Sequence, residues 1–113
     1  MSLLAAILCF AHGGCAVAND PPPLPPLEPA LASWYDDAGQ TASGWHYANG
    51  FASLALGSEW GRRVEFHHAG RTVVGRLDDH GPYVAGRAFD LNARLRGLLA
   101  CPDLCQLRWR FAR

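Results

Sequence analysis

"GRLDDHGPYVAGRAFDL", residues 75–91, carries three carboxylates, one His, one Tyr, two Arg and three Gly in 17 positions. Its two ends read as strands and its middle as a sharp turn. Gly81 and Pro82 force that turn directly after Asp78 and Asp79, because Gly reaches backbone conformations other residues avoid and Pro fixes φ. Gly86 lets the chain double back toward "RAFDL" at 87–91. Arg87 is placed to pair with a carboxylate such as Asp90, and a pair of that kind holds loop backbones together. Adjacent carboxylates on a strand point to opposite faces. In a bend they approach, and one then titrates higher.

Outward from this segment, strand-like runs are short and frequent. "LASWY" at 31–35 and "FASLAL" at 51–56 are two. "RVEFHH" at 63–68 alternates, with Val64, Phe66 and His68 on one face and Arg63, Glu65 and His67 on the other. "AG" at 69–70 is a turn, and "RTVVGRL" at 71–77 returns as its hairpin partner. "QLRWRFA" at 106–112 alternates Leu107, Trp109 and Phe111 against Arg108 and Arg110. Between them, "NARLRGLLA" at 92–100 sets Leu95, Leu98 and Leu99 at helical spacing behind Asn92, a good N-cap. Six short strands and one late helix argue for a small, mainly β barrel over residues 31–113. Trp34, Trp60, Trp109, Phe66, Phe89 and Phe111 are the expected fillers of its thin core, each large side chain contributing roughly 2 kcal/mol on burial.

The first 30 residues are of another kind. "LLAAILCFA" at 3–11 is too short to span a bilayer and suits a signal-peptide core, with cleavage expected after Ala18 in "AVA-ND". Lipidation of Cys15 in "HGGC" is the alternative. Residues 19–30 hold six prolines within "DPPPLPPLEPA" and read as a polyproline II spacer, since Pro lacks the N–H that a helix interior or central strand needs. After cleavage only Cys101 and Cys105 remain, in "CPDLC". In an exported chain they read as a short disulfide clip, and a zinc site would need a second Cys pair that is absent.

Ten basic residues, all Arg, balance ten Asp and Glu. That balance gives no reason to propose nucleic acid as a partner.

The strings "ASWYDD…TASG" and "WGRRVEF…GRTVVGRLDDHGPYVAGRAFDLN", with the helix that follows, resemble the rare lipoprotein A family. These are bacterial cell-envelope proteins with a double-psi β-barrel domain, related in fold to expansins. The resemblance runs over nearly all of residues 32–113, with its elements in family order. Its strongest piece, "DDHGPYVAGRAFDL", matches the family pattern D-x-G-P-[FY]-x-x-G-R-x-x-D-L. The resemblance implies a six-stranded double-psi β-barrel with one short helix near the C-terminus. Gly81, Pro82, Gly86, Arg87 and Asp90 then serve as scaffold of the psi loop, with Arg87 and Asp90 as its ion pair.

The resemblance also implies an activity: lytic cleavage of peptidoglycan glycan strands, leaving a 1,6-anhydro sugar end. Asp79 matches the motif aspartate and is the expected general acid. Asp78 reads as a solvated or turn-capping acid. His80 stands where the family has Arg and is a candidate for substrate contact. Two departures matter. The family's Glu after its "TA[NS]G" turn is Trp45 here, followed by His46, and its His aligns with Ala55. His46 and Glu59 lie near the missing groups in sequence. Trp45, Tyr47 and Tyr83, with His46 and His80, suit a groove that stacks on sugar rings, so a module that holds glycan without cutting it is the alternative. His67 and His68 fit an alternating strand. No cofactor or metal is expected, and peptidoglycan glycan strands are the expected partner.

Overall fold

The computed structural model describes residues 7–10, 14–17, 21–36, 39–45 and 49–113. The expected cleavage junction after Ala18 and the candidates His46 and Tyr47 lie outside the described residues. The N-terminal segment contributes two short strands, β1 (Ile7–Phe10) and β2 (Gly14–Val17), paired antiparallel.

The remaining strands are β3 (Glu28–Tyr35), β4 (Gly50–Ala52), β5 (Arg63–His68), β6 (Arg71–Asp79), β7 (Phe89–Asn92) and β8 (Cys105–Phe111). They close into a barrel in the order β3-β7-β4-β6-β5-β8. The β3/β7 and β4/β6 pairs are parallel and the other four antiparallel. This is the mixed six-stranded barrel of the double-psi type that the sequence leads one to expect. One helix, α1 (Ala93–Leu99), follows β7.

Local chemistry sets these bounds. Ala69 and Gly70, at φ 50° and 75°, turn β5 back into β6 through the positive-φ pair that a two-residue hairpin requires. Asn92 caps α1, its Oδ1 accepting from the Leu95 N–H at 2.8 Å. The helix ends at Ala100 in the left-handed conformation. β3 begins at Glu28, three residues inside the stretch read as spacer. Pro29 stands opposite Arg108 in the β3/β8 pair, a position near a strand's start where proline is tolerated.

The core is aromatic, but not as expected. Phe51, Phe66 and Phe89 meet edge to face, with centroids 5.1–5.6 Å apart, and all three are buried. Leu77, Leu91, Leu95 and Leu99 complete the filling. Trp34, Trp60, Trp109 and Phe111 are only half-buried and pack around the rim. Indoles are too large for the interior of so narrow a barrel once three Phe rings occupy it. α1 presses against the wall at Gly75, where a Cβ would lie 2.9 Å from Leu95 Cδ2. The clip forms as expected: Cys101 and Cys105 are disulfide-bonded and buried, with Cα atoms 5.4 Å apart.

Candidate functional site

The end of β6 is built around a bulge. Along the parallel β4/β6 pair, Gly50 faces Arg76 and Phe51 faces Leu77, but Ala52 faces Asp79. Asp78 is the extra residue. A bulge breaks strict alternation, so Leu77 and Asp78 are both buried although adjacent. The Asp78 side chain folds over Gly50, where any Cβ would fall 1.8 Å from Oδ2. The expectation of a solvated or turn-capping Asp78 is therefore wrong: it is 1% exposed, and its Oδ1 has no hydrogen-bond partner among the described residues. Burial, then the neighbouring Asp79 charge, push its pKa from 3.8 up to about 6, with the Arg76 charge and a backbone hydrogen bond pulling the other way.

Asp79 is half-exposed at the strand's tip. Its Oδ1 accepts from the backbone N–H of Ala42 at 3.0 Å and of His80 at 2.9 Å. Oδ2 has no partner among the described residues. The Asp78 carbonyl accepts from Ser43 N–H at 3.1 Å. Two bonds thus tie the "TASGW" turn to the two acids, and that turn carries Trp45. The Trp45 indole lies beneath the Arg76 guanidinium, 4.1 Å from ring centroid to Cζ, and reaches within 3.3 Å of a Cβ built on Gly61. Gly61 donates to the Leu77 carbonyl, and beside it Trp60 meets the His80 ring at 4.8 Å. One end of the barrel thereby brings Asp79, His80, Trp45, Trp60 and Arg76 into one neighbourhood.

Not every candidate joins it. Tyr83, 80% exposed, stands on the psi-loop tip and lines a separate open groove of about 370 Å³ with Leu54, Ala55 and Arg87. Gly81, at φ 139°, and Pro82 make the sharp turn between that tip and Asp79. The expected Arg87–Asp90 ion pair does not form. Asp90 faces Ser33 across the parallel β3/β7 pair and accepts its hydroxyl, while Arg87 precedes the strand and points into the groove. Glu59 pairs with Arg62 at 3.1 Å on the surface. His67 is bonded to Glu65, whose carboxyl Arg110 holds below its usual range, and His68 bonds the Leu99 carbonyl at 2.8 Å. His68 also lies near both clip sulfurs, but a disulfide offers no thiolate to a metal.

Arg76 and buried Asp78 were missed as site residues. The one signal in the sequence was Gly50, since a glycine inside a strand marks a close approach.

No protein-family profile matches the chain, and no curated protein does. Among solved structures it is similar to the Streptomyces papain inhibitor, at 21% identity and a TM-score of 0.63, over 80% of this chain and 98% of that one. That likeness establishes the barrel fold and nothing more.

Proposed function

We propose that the chain is an exported cell-envelope protein of the rare lipoprotein A type, acting on peptidoglycan glycan strands as a lytic transglycosylase. The observation that carries this is the Asp79 carboxyl. Two backbone N–H groups fix one oxygen, the other is unengaged among the described residues, and indoles and an imidazole flank it.

One carboxyl suffices for the reaction. Protonated Asp79 gives its proton to the glycosidic oxygen as the bond to C1 breaks. The resulting carboxylate then takes the proton of the same sugar's 6-hydroxyl as O6 bonds to C1. No water is consumed, Asp79 ends as it began, and the products are a 1,6-anhydro end and a free 4-hydroxyl. Asp78 is sealed from substrate and is a neighbour that sets the local charge, not a second acid in contact with sugar.

A second reading is favoured by Trp45, which puts an indole under a guanidinium where the family has Glu. The part of the indole left exposed suits stacking on a sugar ring, and the barrel would then hold glycan without cleaving it. Papain inhibition is not carried over from the structural neighbour, because one fold hosts many functions.

Incubation of residues 19–113 with glycan strands, followed by mass spectrometry, separates the readings. Anhydro-ended products that vanish with Asp79→Asn support the enzyme. Glycan pull-down with no product over long incubation supports the holding module and sinks the enzyme.

A further inference from the structure

Beside the acid tip, the barrel wall carries an open groove of about 410 Å³ lined by Asn49, Arg63, Val74, Gly75, Arg76 and Arg94. Three of its six lining residues are arginines. None of the three forms an ion pair with a carboxylate among the described residues; the ion-paired arginines are Arg62, Arg96 and Arg110.

All three arginines sit where local rules disfavour them. Arg63 and Arg76 are directly opposite each other in the β5/β6 register, and like charges so placed repel. Arg94 is in the first turn of α1, which contains no acidic residue, at the end where the helix dipole disfavours a cation. The fold has accepted both costs, and both converge on one groove. Uncompensated local conflicts of this kind mark functional sites. Asn49 Oδ1 is buried there without a partner among the described residues, and the amide turned over would present its two N–H donors instead.

We infer that this groove binds an oxyanion, the carboxylate or phosphate of an acidic saccharide, through Arg63, Arg76 and Arg94. Guanidinium groups match both anions, each offering paired N–H donors in one plane. Arg76 lies over Trp45, so the groove borders the aromatic platform beside Asp79. A saccharide ring on Trp45 and its acidic substituent among the arginines occupy adjoining surfaces. The saccharide half of the inference rests on the glycan reading above; the oxyanion half does not.

Titration of tryptophan fluorescence tests it, with Trp45→Phe assigning the signal. The probes are inorganic phosphate, N-acetylmuramic acid, N-acetylglucosamine 6-phosphate and neutral N-acetylglucosamine. Both acidic sugars should bind at least tenfold more tightly than the neutral one, and added salt should weaken them. Arg63→Gln with Arg94→Gln should remove that preference, while Arg108→Gln, which removes a cation outside the groove, keeps it. Preference for one acidic sugar alone identifies the anion. Binding of phosphate but of no sugar overturns the glycan reading and leaves the oxyanion site standing. Equal binding of acidic and neutral sugars, or an unchanged preference in the double variant, overturns the site. Because Arg63 opposes the Arg76 charge and Arg94 opposes the helix dipole, that variant should unfold no earlier than the parent.

Discussion

Asp78 should make the protein lose stability as the pH rises from about 4 to 7. Its carboxyl is 1% exposed, lies against Gly50, has an Oδ1 with no partner among the described residues, and is raised from 3.8 to about 6 by burial and then by the Asp79 charge. A folded-state pKa above the unfolded one means the folded chain holds the proton more tightly. The associated stability is complete below about pH 4, falls as the pH passes between the two values, and is gone above about pH 7. At about 1.4 kcal/mol for each tenfold difference in proton affinity, the loss is about 3 kcal/mol. For a domain this small, that is a substantial share of the total. Denaturant unfolding of the parent and of Asp78→Asn, from pH 3.5 to 8, isolates the effect. Asn cannot ionise, so the stability of the variant relative to the parent should climb by about 3 kcal/mol over this range, whatever constant offset the amide introduces. A difference that stays flat with pH would refute the reasoning, since it would mean that Asp78 ionises in the fold as readily as in the unfolded chain.

Other substitutions test other parts of the barrel. Gly50→Ala forces a methyl into the Asp78 carboxyl and should cost about 1–3 kcal/mol, as overpacking does; adding Asp78→Ala should recover much of it, and a double-mutant cycle by denaturant unfolding measures the coupling. Ala100→Gly should stabilise by about 1 kcal/mol, because Ala100 ends α1 at φ 52°, where a Cβ is unfavourable; thermal unfolding reads this as a raised Tm. Replacing Cys101 and Cys105 together by Ala should cost about 2 kcal/mol, the loop-closure figure for so short a ring, with the intact mass of residues 19–113 rising by two hydrogens on reduction.

What could be read from the sequence was what is decided locally. The β5–β6 hairpin has its expected start, turn and register because alternation and "AG" are near-neighbour signals. α1 starts at its expected cap for the same reason. β4 is shorter than its sequence suggests: "FASLAL" is apolar but for Ser53, yet only Gly50–Ala52 is strand. The chain leaves the sheet once Ser53 donates to the Asp79 carbonyl, a contact with a residue 26 positions later. Asp78 was misplaced by the same limit. Strict alternation holds only while two strands stay in register, and a bulge is a property of the pair. The absent Arg87–Asp90 pair has a similar cause, since the parallel register gives Asp90 to Ser33, which no spacing within the psi loop reveals.

Arg76 shows why the candidate site is hard to divide into independent parts. Its guanidinium covers Trp45, its charge draws the Asp78 pKa downward against burial, and its side chain lines the groove with Arg63 and Arg94. These roles compete for one positive charge. An anion bound in the groove offsets part of the field that favours ionised Asp78, so Asp78 keeps its proton to higher pH. A neutral Asp78 in turn removes one negative charge from beside Asp79, the carboxyl proposed to exchange protons with the glycan. Occupancy of the groove and protonation at the barrel tip are therefore linked through Arg76 without any movement of the backbone. The linkage is reciprocal, as binding equilibria require: whatever protonates Asp78 frees Arg76 to hold the anion.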